Sequence, residues 1–210
     1  MPLLFEELFD CPICATKFMS KVVGVFDTFG PRYSDLYIAS EEDPQPVVHQ
    51  IHVCPKCGFA GFAQGFREFA FDREVVKSAI KNVAKLMSKD PITFNAGDGY
   101  LEIAEYFQAP SLEERTFLKL QATHAYRALA DANLPIARRL VLMDTEKVLE
   151  VREFNLNLEE TYLYLAGELN RLLGSTEKAR DYFQLVLTIA EKQSPFAQLA
   201  RFQLLSPSEI

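Results

Sequence analysis

The chemistry legible in this chain is concentrated in four cysteines, arranged as Cys11-Pro12-Ile13-Cys14 and Cys54-Pro55-Lys56-Cys57 with 39 residues between Cys14 and Cys54. Two residues between paired cysteines let one tight turn aim both sulfurs at a single point, and Gly58 after the second pair tolerates the backbone bend. Each pair then supplies half of a tetrahedral site with Zn–S distances of about 2.3 Å, so Cys11, Cys14, Cys54 and Cys57 are expected to hold one structural zinc ion. Four thiolates leave no open position for water, which argues against a catalytic zinc. Redox catalysis is the competing chemistry, but a thioredoxin-like pair needs a strand-then-helix frame to lower one thiol's pKa, and neither pair has that frame. His49 and His52 lie close to the second pair, yet alternation along a strand puts them on the sheet rather than at the knuckle tip, so ligation by either is not expected. His124 falls inside an apolar helical pattern and reads as a packed histidine. No Ser, His and Asp arrangement, phosphate-cradling glycine loop or paired-carboxylate motif stands out, and no enzymatic activity is expected.

Some element must bring the two pairs together. The strand-like pieces Val22 to Phe26, Asp35 to Ala39 and Val47 to Val53 predict a three-stranded sheet carrying both knuckles, a ribbon with little core of its own whose folding depends on its ion. After residue 70 apolar residues recur three and four apart, the signature of amphipathic helices. Helix starts are marked by Asp72, by Ser111 with Glu114, by Asn157 with Glu160, and by Ser194 followed by Pro195. These signals predict six or seven helices near 72–89, 98–108, 112–130, 134–153, 158–173, 176–192 and 195–205. The expected organisation is a four-cysteine zinc ribbon over residues 1–68 and a helical-repeat domain over 69–210. The fold class is mainly α, a small N-terminal β zinc ribbon followed by an antiparallel helical-hairpin array.

The clearest hairpin is TYLYLAGELNRLLG followed by STEKARDYFQLVLTIA, with Gly174 at the helix end and Ser175 or Thr176 as the next cap. It resembles a tetratricopeptide repeat: Gly167 and Ala179 are twelve apart, as close backbone approach between paired helices requires, and Phe183 follows Ala179 by four. Leu163, Ala166 and Asn170 depart from the residues common in that pattern. YLEIAEYF (100–107) and THAYRALA (123–130) look like related helices of degenerate repeats, and three stacked hairpins are expected, with a plain bundle as the alternative.

Composition bounds the partners. The chain has 210 residues, 49% of them apolar, and a net charge of −7, which favours solubility and disfavours a polyanionic partner. Residues 1–60 hold four Lys or Arg against eight Asp or Glu, so the ribbon would repel phosphates. One local exception is Arg73, Lys77, Lys81, Lys85 and Lys89, a ridge recurring every four residues opposite Val76, Ile80, Val83 and Met87. A nucleic acid or acidic partner could dock there, although a solvated helix face is the plainer expectation. Phe59, Phe62, Phe66 and Phe69, with Phe71 behind, would align on one helical face, where they are expected to weld ribbon to helices rather than form a binding stripe. No run of about 18 apolar residues occurs, and Glu6, Glu7 and Asp10 stand where a secretory signal would be basic and apolar. A cytoplasmic protein with reduced thiols and no membrane segment is therefore expected.

The CPIC knuckle followed by Phe18, the CPKCGFAGF knuckle, the intervening RYSDLYI (Arg32 to Ile38) and the helical remainder together resemble the bacterial family known as domain of unknown function 2225. The resemblance spans nearly the whole chain and implies a bacterial cytoplasmic protein with zinc and helical repeats. It implies no activity. The expected function is a zinc-binding interaction protein or scaffold whose helical surface takes a protein or peptide partner, with nucleic acid disfavoured.

Overall fold

A computed structural model describes residues 3–107, 111–152, 155 and 158–209. The chain begins with an antiparallel hairpin of β1 (Leu3–Asp10) and β2 (Lys17–Val25), in which Phe9 lies opposite Phe18 and Asp10 opposite Lys17. A single turn of helix, α1 (Pro46–His49), precedes β3 (His52–Val53), which pairs with β4 (Ala60–Gly61). Helices follow: α2 (Ala63–Arg67), α3 (Arg73–Met87), α4 (Ala96–Tyr106), α5 (Leu112–Ala128), α6 (Leu134–Val151), α7 (Glu159–Leu172), α8 (Thr176–Ile189) and α9 (Pro195–Leu205). The fold is mainly helical with a small β ribbon at its amino end, as the periodicity predicts.

The expected three-stranded sheet does not form. Pro46 at the first helical position turns Val47 into α1 instead of a strand. Asp35 to Ala39 contributes only the isolated bridge between Arg32 and Ile38. Each cysteine pair instead has its own two-stranded ladder. The long helices start where the caps place them: Asp72 accepts from the Glu74 and Val75 amides, Ser111 and Glu114 form a reciprocal capping box, and Ser194 accepts from the Phe196 amide. Asn157 lies outside the described residues. Asn95 and Asp98 form a further capping box at the start of α4 that the sequence reading missed.

The chain divides into two compact units, Met1–Gly30 with Ala39–Ala137, and Pro31–Ile38 with Arg138–Ile210. The first unit includes both cysteine pairs and α3. There, Val76, Ile80, Val83 and Met87 are buried along α3, as expected. The Phe59 to Phe69 stretch is not one helix, since Phe59 immediately precedes β4 and Phe62 caps α2. The rings still join ribbon to helices, because Phe59 and Phe71 pack on Tyr106 of α4 at 6.1 and 4.9 Å between centroids.

The second unit is built around Leu163, Tyr164, Ala179, Phe183, Val186 and Ala200, which interlock α7, α8 and α9. Gly174 takes φ 85°, and the Ser175 amide donates to Asn170 O at 2.8 Å, closing the helix end; the Ser175 side chain makes no capping bond. At Gly167 a Cβ would lie 2.7 Å from Phe183 Cε1, so only glycine lets that ring sit on the α7 backbone. Gly167→Ala is expected to cost about 1–3 kcal/mol by overpacking, read as a lowered urea midpoint at unchanged slope. The same unit contains the Pro31–Ile38 segment. The Ser34 hydroxyl donates to Glu168, Tyr164 Oη donates to Ser34 O at 3.0 Å, and Asp35 faces Arg138 at 4.0 Å. Leu36 packs against the apolar cluster.

Candidate metal centre

Both knuckles have the same main-chain construction. In the first, Cys11 N–H donates to Thr16 O and Ala15 N–H donates to Cys11 O, each at 2.9 Å. In the second, Cys54 N–H donates to Phe59 O at 2.8 Å and Gly58 N–H donates to Cys54 O at 3.0 Å. The residue after each second cysteine must turn left-handed to send the chain back, and Ala15 and Gly58 do so at φ 58° and 79°. Glycine is required at the second, because a Cβ on Gly58 would meet Pro91 Cβ at 2.6 Å and Pro91 O at 2.8 Å. β1 and β2 flank the first turn, and β3 and β4 flank the second.

The turns face one another so that all four sulfurs lie within 4.8 Å. Cys11 Sγ is 3.6 Å from Cys57 Sγ, and Cys14 Sγ is 3.6 Å from Cys54 Sγ. A tetrahedral ion with bonds of about 2.3 Å sets its ligands about 3.8 Å apart, whereas a disulfide needs about 2.05 Å. The observed spacing fits the first and excludes the second, and all four cysteines are free. These four could hold one metal ion, and among the described residues no histidine or carboxylate joins them. The hydrogen bond between Cys57 and Cys11 holds the Cys57 thiol up and brings Cys11 down to about 5, while burial pushes Cys54 up. A divalent cation would displace the thiol protons and let four thiolates coexist.

His52 is fully buried, stacks on Phe9 at 4.4 Å between centroids, and meets Ser20 Oγ through Nδ1 at 3.0 Å. Burial lowers its pKa to about 4, so it is a neutral core ring that tightens the hairpin against the second knuckle. His49 ends α1 and stands outside the sulfur cluster, its pKa lowered by burial and by Lys21. His124 is packed within α5.

Sequence reasoning missed the support beneath the second knuckle. Glu102 of α4 is fully buried, and its Oε1 accepts from the Ala60 amide at 3.1 Å. Tyr106 Oη donates to Ala60 O at 2.8 Å, so α4 grips both main-chain groups of one residue in β4. A glutamate inside the apolar run YLEIAEYF was the available signal. Burial raises the Glu102 pKa well above its ordinary value. The folded chain therefore keeps a proton that the unfolded chain releases, and stability falls as pH rises above the ordinary carboxylate range. Glu102→Gln should remove that fall. Urea titrations from pH 5 to 8 are expected to show the variant gaining on the parent by up to about 1.4 kcal/mol per pH unit.

The cationic ridge is only partly free. Lys77 pairs with Glu74 at 2.8 Å, and Lys89 lies 2.9 Å from both Asp98 and Asp131. Arg73, Lys81 and Lys85 remain exposed without an ion pair among the described residues.

No helix of the described residues is long and apolar enough to cross a membrane. Neither a curated protein nor a solved structure matches the chain. A family described as "Uncharacterized protein conserved in bacteria (DUF2225)" matches residues 4–204, a span that includes both knuckles, the segment between them and all the long helices but the last residue of α9. By that match over nearly its full length, the chain belongs to this bacterial family.

Proposed function

We propose that this chain is a non-enzymatic interaction protein of the cytoplasm, in which Cys11, Cys14, Cys54 and Cys57 hold one structural zinc ion and helical hairpins offer a surface to a protein or peptide partner. The gathering of four free sulfurs within 4.8 Å carries the reading. Soft thiolates in a tetrahedral set suit zinc, and a shell filled by four of them makes the ion a cross-link rather than a Lewis acid. Each cysteine pair lies in a turn between strands, not at the start of a helix that would activate one thiol, which favours structure over dithiol turnover. The Gly167, Ala179 and Phe183 packing supports a tetratricopeptide-like hairpin, the kind of unit whose stacked copies present recognition surfaces. Nucleic-acid binding along α3 is weakened by the loss of Lys77 and Lys89 to acidic partners.

The test is metal analysis of natively purified protein together with identification of what it retains. One zinc per chain, unreactive thiols and a retained polypeptide are expected. Protein that is compact without metal would end the structural-zinc reading, and retained RNA or DNA released steeply by salt would replace the protein partner.

A further inference from the structure

The second unit contains a cavity of about 780 Å³ between the Arg32–Ile38 segment and one face of α9. On the α9 side, Pro195, Leu199 and Phe202 fall on one stripe at spacings of four and three. The opposite wall is preformed: Tyr33 N–H donates to Tyr37 O at 2.8 Å, the two rings stack at 5.7 Å, and Arg32 bridges Ile38. Its volume and apolar aromatic lining match sites for small molecules, which span about 300–1,000 Å³. Ile38 and Phe202, one from each wall, remain 42% and 47% exposed.

Polar demand inside it is unusually narrow. The Ser34 hydroxyl is spent on Glu168, the Gln203 side chain exchanges both hydrogen bonds with the Ser208 main chain, and the Gln198 amide donates to Gln193 O. Arg32 is the one charged residue in the lining, and it has no counter-ion among the described residues. The complementary ligand is an apolar body with a single anionic head. A peptide would bring main-chain N–H and C=O groups against walls whose Ser34 and Gln203 side chains are already engaged, and leaving the peptide groups unpaired is costly. An acyl chain brings none, and its carboxylate fits the guanidinium fork.

We propose that this cavity binds a long-chain aliphatic monocarboxylate, with its head on Arg32 and its chain laid between Ile38 and Phe202. The site goes beyond the proposed zinc-dependent interaction role and does not rest on it. Octanoate, decanoate and dodecanoate are titrated calorimetrically into the full metal-loaded chain. Affinity is expected to rise about fourfold per added methylene, as burial of apolar carbon dictates. Dodecanamide should bind about tenfold more weakly than dodecanoate, and Arg32→Gln should erase that difference. Phe202→Glu, at a position half open to solvent, should weaken dodecanoate more than tenfold while leaving the thermal midpoint in place; if that variant fails to fold, the chain-length series and the amide comparison on the unaltered protein decide. Absence of saturable dodecanoate binding, equal binding of acid and amide, or tighter binding of the tripeptide acetyl-Leu-Leu-Phe would overturn the assignment, the last in favour of a peptide.

Discussion

Cys54→Ser is expected to dissolve the ribbon while leaving the α7–α8–α9 core folded. Cys54 is fully buried, its amide and carbonyl both hold the second knuckle closed, and its sulfur meets Cys14 of the first. Besides the sulfurs, the two ladders are joined by the Ser20–His52 hydrogen bond and the stack of His52 on Phe9. β1 and β2 form a two-stranded hairpin, marginal in water by itself, and its outer half leaves Leu3, Phe5 and Val25 more than half exposed. The apolar support near the sulfurs is a small cluster of Phe9, Phe18, His52, Phe59 and Phe66. A four-thiolate zinc site contributes roughly 10–16 kcal/mol in small domains, far more than that cluster can replace. Loss of one ligand, or treatment of the parent protein with a strong chelator, should therefore abolish hydrogen-exchange protection across 3–25 and 51–61. Protection in α7 and α8 should persist, because Leu163, Tyr164, Ala179 and Phe183 pack on one another without the ion. Full protection of the ribbon after complete metal removal would show that the sulfurs are held by the fold rather than the reverse.

The cysteines and long helices were legible because their signals are local. Cys-x-x-Cys fixes a turn, and a 3.6-residue period with Asp72 or Ser111 at its head fixes a helix start. The strands were not legible. β1 reads LLFEELFD, and its hairpin buries only Phe9 and Phe18 well, so the alternation that identifies a half-buried strand is absent over most of its length. The RYSDLYI segment looks like a strand because it is aromatic and aliphatic, yet its conformation is set by Glu168 and Tyr164, about 130 residues further along the chain. No window of sequence contains both partners. Glu102 was hidden for the same reason: its role depends on the Ala60 amide, 42 residues away. His52 illustrates the converse, a residue type common in metal sites whose burial beside Phe9 gives it a different task.

Lys89 marks where periodicity misleads most, and its replacement carries the second large effect. It continues the four-residue spacing of Lys77, Lys81 and Lys85, but its ammonium lies between Asp98 and Asp131 and 5.3 Å above the Tyr126 ring. Asp98 is fully buried and also accepts from Tyr126 Oη at 2.7 Å and from the Asn95 amide at 2.9 Å. Asp131 accepts from Asn95 Nδ2 at 2.7 Å and the Asn133 amide at 2.8 Å, so one lysine ties the end of α3 to the start of α4 and the end of α5. Burial alone would pull the Lys89 pKa down, but the two carboxylates outweigh it and hold the group above its ordinary value. Lys89→Met removes the cation and leaves two facing carboxylates, one without access to water. The expected loss is about 3–5 kcal/mol, the usual consequence of breaking one side of a buried pair. Lys81→Met, on the exposed part of the same ridge, should stay within about 0.5 kcal/mol of the parent. Adding Asp98→Asn to Lys89→Met should recover more than half of the deficit, since the neutral amide no longer needs a counter-ion. Equal effects at Lys81 and Lys89 would return Lys89 to the solvated ridge and leave Asp98 to be stabilised by Tyr126 and Asn95 alone.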